Sequence, residues 1–310
     1  MQEILKDSPI RIATRKSQLA LWQARWTQKG LKALGYTSEL VLIESQGDQD
    51  MRAFVNLQGQ GFFTKAVQDA ILEDRADMAV HSFKDLPSAP HPKLEIAALS
   101  PREDPRDVLI MLRSKLGVDV WERELREVGE LPLARGWGVG SSAIRRQQQL
   151  QMLRADLNCQ ELRGNVPSRL AKLRQGQHDA IILAAAGIKR LQSEGLDLSD
   201  FALFPLCPKL MIPAPAQGVL ALECHRDNYQ LAQVLNDLND MESYRCVAAE
   251  RGLMSMLQAG CQLALGAYAK REQGIIQLSA WYEGNYVEVS HVHPEGAAML
   301  AYQALGRPAH

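Results

Sequence analysis

Between Arg135 and Arg174 the chain places eight Lys or Arg against only Asp156 and Glu161. Four of them, Arg145, Arg146, Arg163 and Arg169, fall in or just after turns expected to lead from a strand into a helix, where free backbone N–H groups and the helix dipole already favour anions. A guanidinium grips a carboxylate or phosphate with two parallel hydrogen bonds, so several such turns at one sheet edge make a site for a polyanion. The competing reading is that these arginines sit on solvated helix faces, paired with acids elsewhere. His81-Ser82-Phe83-Lys84-Asp85 sets an acceptor and a cation at the carboxyl end of a strand, a position open α/β sheets use for ligands. Asp85 can carry a proton or stabilise a developing cation there; it can equally be a surface partner of Lys84 or a loop cap. His81 reads as a half-buried structural residue, because no second His or Cys lies at ligand spacing, and no metal is expected. Cys261, in Ala259-Gly260-Cys261-Gln262, follows an apolar helix in an expected loop. It is a nucleophile, a covalent anchor, or a small buried hydrophobe; spacing does not single it out among the five cysteines.

The elements that must carry these groups alternate. Ile10 to Ala13 reads as a strand, Thr14-Arg15-Lys16-Ser17 as a turn, and Leu19, Trp22, Trp26 and Leu31 as one face of a helix capped by Ser17. Glu39 to Glu44 follows as a strand. Gly47 to Gly61 is polar, glycine-punctuated and aperiodic, hence a long mobile loop, and Phe62 to Asp74 a helix. Met78 to Val80 is a short strand running into His81. Residues 137 to 191 repeat the scheme: strand Trp137 to Val139, helix Ile144 to Leu153, strand Cys159 to Leu162, helix Val166 to Arg174, strand Ala180 to Leu183 and helix Ala186 to Leu191. This rhythm predicts two mainly parallel sheets covered on both faces. Ser100 to Pro105, and Pro205 to Pro215 with four prolines, resist regular structure and read as two crossings that form a hinge beside a cleft. A small third unit begins near Met241, with a helix from Ser243 to Leu257 and strands ending near Tyr286.

Composition narrows the class. Hydrophobic residues at 46% and charged residues at 23% are ordinary globular usage, excluding disordered and fibrous classes. Lys plus Arg is 35 against 36 Asp plus Glu, so no overall field draws the protein to nucleic acid or an anionic membrane, and anion binding must come from local clustering. The N-terminus has no uninterrupted apolar region, and no stretch reaches the length of a membrane span, which makes a soluble cytoplasmic protein the expectation. An odd set of widely spaced cysteines argues against a disulfide framework. Residue pattern alone ends at a two-lobed α/β binder of a small polyanion, either a solute-binding module or an enzyme.

The segments IRIATRKSQLALWQA (10–24), GDQD (47–50), DRADMAVHSFKDLP (74–87), REDPRDV (102–108), VGSSAIRRQQQL (139–150), LRGNVPSRLAKL (162–173), DAIILAAAGIKRL (179–191), PAQGVLALE (215–223) and AGCQLALGAYA (259–269) resemble the porphobilinogen deaminase (hydroxymethylbilane synthase) family over nearly the whole chain. The resemblance implies two periplasmic-binding-protein-like (type II) α/β domains with a hinge, residues 1–101 with 212–238 and residues 102–211, and a small α+β domain at 239–310. It implies stepwise head-to-tail condensation of four porphobilinogen molecules, with release of ammonia, onto a dipyrromethane cofactor bound by a thioether. It further implies a monomer with no nucleic-acid or membrane partner. Carried over by motif, Asp85 is the catalytic carboxylate and Cys261 the covalent anchor. Ser82, Lys84, Ser141, Arg145, Arg146, Arg163, Asn165 and Gln217 bind the cofactor, and Arg15, Ser17, Gln23, Arg169 and Arg190 the substrate. Gln60 and Asn56 stand where the family usually has lysines, Ala143 where it has serine, Ala216 where it has glycine and Ala264 where it has proline; weaker substrate affinity is the expected consequence. The rival from another class is a paralogue that binds polypyrroles without turnover.

Overall fold

The computed structural model describes residues 8–43, 61–117, 122–258 and 264–306. Asn56, Gln60, Cys261 and the loop read over 47–61, but for Gly61, which opens a helix, therefore lie outside the described residues. The chain forms two compact units, Met1–Arg102 with Val219–Tyr244, and Glu103–Gly218 with Arg245–His310. The return to the first unit falls at Gly218/Val219, and residues 245–310 group with the second unit.

In chain order the elements are β1 (Ile10–Arg15), α1 (Gln18–Ala33), β2 (Ser38–Ile43), α2 (Gly61–Leu72), β3 (Met78–Ser82) and β4 (Leu94–Leu99). After the first crossing come β5 (Asp107–Leu112), β6 (Gly138–Gly140), α3 (Ile144–Leu153), β7 (Asn158–Gln160), α4 (Val166–Arg174), β8 (Ala180–Ala184), α5 (Ala185–Gln192) and β9 (Phe201–Leu206). The chain then returns through β10 (Leu220–His225) and α6 (Tyr229–Asn236), and ends with α7 (Met241–Met256), β11 (Gly266–Glu272), β12 (Ile275–Tyr282), β13 (Asn285–His291) and α8 (Pro294–Ala304).

Both large sheets have one plan: order β2-β1-β3-β10-β4 in the first unit and β7-β6-β8-β5-β9 in the second. Three neighbouring parallel strands are followed by one strand, β10 or β5, that is antiparallel to both its neighbours. The expectation of mainly parallel sheets is corrected to this extent, and the reason is connectivity. Each inserted strand is the first that the chain lays down after a crossing, so it enters from the opposite direction to the strands that precede a helix. The crossings also keep company: Ser100 N–H donates to Leu220 O at 3.0 Å in the first unit, and Glu103 N–H to Gly218 O at 3.1 Å in the second. Regular structure runs into the proline-rich segment as far as Leu206, because β9 is an edge strand, where Pro205 costs no sheet hydrogen bond.

Helices cover both faces of each sheet. In the first unit, Ala24 and Leu31 of α1 and Leu231, Val234 and Leu235 of α6 pack on Ile12, Met78 and Val80. On the other face, Val67, Ala70 and Ile71 of α2 pack on Ala13 and Ala79. In the second unit, Leu170, Leu173 and Ile188 cover Ile110, Ile181 and Leu183. The C-terminal antiparallel sheet β11-β12-β13 has its own core, in which Ala249 and Leu253 of α7 and Ala297 and Ala301 of α8 bury Leu278 and Ala280. Among the described residues no helix is long and apolar enough to cross a membrane.

Candidate functional site

In the first unit the charged turns stand at the carboxyl ends of β1 and β3, which are parallel neighbours. Arg15 ends β1. Ser17 caps α1, its side chain accepting from Ala20 N–H at 3.3 Å, so this residue has a structural duty besides any contact with ligand. Gln23, buried on α1, donates through Nε2 to Ser82 Oγ at 2.7 Å and ties the helix to the end of β3. The chain then makes one turn of 3-10 helix, Phe83–Asp85, with Phe83 buried and Asp85 exposed. The buried ring anchors the turn that carries Asp85 at the surface.

In the second unit the carboxyl ends of the parallel strands β6, β7 and β8 carry the remaining groups. Ser141 follows β6 and is buried, its Oγ accepting from Ala143 N–H at 3.3 Å. Asn165 caps α4, its Oδ1 accepting from Ser168 N–H at 2.9 Å. Arg163 pairs with Glu161 at 2.6 Å and is exposed, an arrangement worth little to stability. Arg169 Nε donates to Gly164 O at 2.7 Å, folding back over the same turn. Arg190 is buried on α5, donates to Gly218 O at 2.7 Å, and burial pushes its guanidinium down to about 10 against the opposing charge of Glu103.

Arg145 and Arg146 are not open grips on a solvated turn. Both are buried on α3 and close on Asp107, the first residue of β5, which is 0% exposed. Arg145 Nη2 reaches Asp107 Oδ2 at 2.7 Å, while Arg146 Nη2 and Nε reach Oδ1 at 2.8 and 3.0 Å. Nη1 of Arg145 donates to Ile212 O and Nη1 of Arg146 to Ile182 O. Gln217 Nε2 joins Oδ1 at 2.9 Å. Burial pushes the Asp107 carboxyl up, but the charges of Arg145 and Arg146, with hydrogen bonds from Arg146 and Gln217, hold it well below the usual carboxylate range. Burial also pushes Arg145 down, against the pull of Asp107. Two guanidiniums and one carboxylate leave the cluster one surplus positive charge.

Sequence pattern did not single out Asp107. The available signal was an acid heading the apolar run Val108-Leu109-Ile110-Met111-Leu112, every residue of which is buried or nearly so. Nor did pattern single out Glu250, wholly buried on α7, whose two oxygens accept from Ala216 N–H and Ala269 N–H, each at 2.7 Å. Those bonds tie the segment before Gln217 to the C-terminal sheet, and Ala267 N–H adds a bond to Pro213 O at 2.9 Å.

Ala216 is held there at φ +60°, fully buried. A side chain in the left-handed region costs about 1–2 kcal/mol, while glycine brings roughly 0.4–1 kcal/mol more chain entropy to the unfolded state. Ala216→Gly is expected to stabilise the protein by about 0.5–1 kcal/mol in urea unfolding; a loss of stability would show that the methyl's packing outweighs the strain.

Two sheets with charged turns at the carboxyl ends of their parallel strands, and a buried cluster with a positive charge to spare, define an anion-handling α/β protein with an appended C-terminal sheet. A family profile described as "Porphobilinogen deaminase, dipyromethane cofactor binding domain" matches residues 10–233, and "Porphobilinogen deaminase, C-terminal domain" matches 244–282. The chain is similar to the porphobilinogen deaminase of Nocardia farcinica, 41% identical over 263 residues, 85% of this chain and 70% of that one. It is likewise similar to that of Mycobacterium marinum, 42% identical over 266 residues, 86% and 79% of the two chains. A solved periplasmic VFT2 domain of Bordetella pertussis BvgS aligns with a TM-score of 0.45 and 15% identity over 76% of this chain and 89% of that one. The chain belongs to the porphobilinogen deaminase family, and its larger matching region is the family's dipyrromethane cofactor-binding domain.

Proposed function

We propose that the protein is a hydroxymethylbilane synthase of the transferase class, a cytoplasmic monomer that condenses four porphobilinogen molecules head to tail and releases ammonia at each step. The observation that carries this reading is the buried cluster of Asp107, Arg145, Arg146 and Gln217, whose surplus positive charge suits a carboxylate-bearing group. The chemistry of the donor set therefore fits a dipyrromethane with acidic side chains. Cys261 would hold it covalently, with Arg145, Arg146, Arg163, Ser141, Asn165, Gln217, Ser82 and Lys84 around it; Arg15, Ser17, Gln23, Arg169 and Arg190 would take the incoming substrate. When bound, the cofactor supplies a free pyrrole α-carbon as the nucleophile.

The chain's own residues do the rest. Each porphobilinogen brings two carboxylates, so forked cations orient it and offset its charge. Loss of ammonia leaves the substrate pyrrole electron-poor, and the Asp85 carboxylate holds its N–H and stabilises that positive charge as it develops. As the acid, the same group can give a proton to the leaving amine, and as the carboxylate it can take up the proton that the attacking α-carbon then loses. A paralogue without turnover would bind pyrroles but release no ammonia.

Intact mass of the purified protein, before and after incubation with porphobilinogen, tests the reading together with an ammonia assay. The expected result is one dipyrromethane adduct, ladder-like pyrrole additions and ammonia release. Cys261→Ala is expected to lack the adduct. An adduct that survives this substitution places the anchor elsewhere, and pyrrole binding without ammonia supports the paralogue.

A further inference from the structure

The end of β3 is fixed from three sides before the chain turns to Asp85. On the α1 face Gln23 bonds Ser82. Along the sheet, Phe83 N–H donates to Val219 O at 3.0 Å. On the α2 face lies a group that the reaction as described does not use: His81 Nε2 meets Glu223 Oε2 at 2.9 Å, and Gln68 Nε2 of α2 meets both Glu223 oxygens at 2.9 and 3.1 Å. Glu223 is 3% and His81 5% exposed. In the antiparallel pair β3 and β10, Glu223 stands opposite Ala79 and His81 opposite Ala221, so the bond runs diagonally across the two strands. The pairing of β10 with β4 shifts register between Leu222 and Glu223, a local irregularity of the kind that re-aims a side chain.

A carboxylate at this depth is costly unless it is paired, and an apolar pair of similar volume would stabilise the sheet as well or better. What the polar group adds is direction: a hydrogen bond fixes the imidazole, the amide and the diagonal register together, whereas methyl groups tolerate sliding. We propose that Glu223, with His81 and Gln68, is a positioning residue for Asp85, a clamp that sets where the 3-10 turn leaves the sheet. This rests on Asp85 being the catalytic carboxylate.

The test is a double-mutant cycle on the cofactor-loaded protein, with loading checked by intact mass and folding by thermal melting. Glu223→Gln keeps the shape but removes one acceptor; it is expected to lower kcat by about 10- to 100-fold with KM unchanged. Combined with Asp85→Asn, it is expected to lower the residual rate no further, because a residue acting through Asp85 has nothing left to position. Equal fold-losses in both backgrounds would mean a packing role and overturn the proposal. Loss of turnover in Asp85→Asn with wild-type kcat in Glu223→Gln overturns the clamp alone. Near-normal turnover in Asp85→Asn removes the catalytic assignment and the clamp with it. Should Glu223→Gln not fold, Gln68→Ala removes both amide bonds to the carboxylate, and the same pattern is expected on a smaller scale.

Discussion

Asp85→Asn is expected to cut the rate of ammonia release by at least about 100-fold, the range found when a group that stabilises transition-state charge is neutralised. The substitution is nearly isosteric, and Asp85 is exposed on a turn anchored by buried Phe83, so stability should change by no more than about 0.5 kcal/mol. The covalent pyrrole adduct should remain. The pairing of full stability and lost turnover is what separates a chemical role from a structural one. Steady-state kinetics on the loaded variant measures it, and turnover within a few-fold of wild type would remove Asp85 from the reaction.

The second large effect falls on stability. Asp107→Asn leaves two buried guanidiniums facing each other with an amide in place of their shared carboxylate. Breaking a buried pair by removing one partner costs about 3–5 kcal/mol, a large part of the stability of an ordinary domain, roughly 5–15 kcal/mol. The sign of the pH dependence follows from the same contacts. The folded-state Asp107 carboxyl is held below its unfolded range, so its contribution is fully present above that range, near 3.9, and is lost as pH falls toward the depressed folded value. Urea unfolding should therefore show a wide gap between wild type and Asp107→Asn near neutral pH, narrowing as pH drops below about 3.9. A gap that stays constant through the acid range would mean that the carboxylate's charge is not what stabilises the cluster.

Much of the site was legible because its signals are local. Ser17 and Asn165 lie just before helical periodicity begins, and both cap the helices so predicted. The helices read over Ile144 to Leu153 and Val166 to Arg174 have those bounds in the fold. A cap, a turn and a 3.6-residue period are each settled within a few positions of chain, so composition at that range carries them. The same holds for the placement of Ser82 to Asp85 at the end of a strand.

Tertiary structure alone decided which charges meet. Asp107 and Arg145 are 38 residues apart in sequence, and His81 and Glu223 are 142 apart. Nothing in the run of residues around Arg145 and Arg146 says that an acid from an antiparallel strand will take up their forks. That acid arrives because β5, the first strand after the crossing, ends up antiparallel between β8 and β9, just as β10 ends up between β3 and β4. Once those strands are inside, burial makes every charge find a partner, and the partner is whichever group the strand order has brought within reach. By itself, then, the sequence determined the family, the cationic turns and the place of Asp85 just past a strand end. The fold decided that two of the arginines are first held by Asp107, and that a glutamate far along the chain backs the strand from which Asp85 departs.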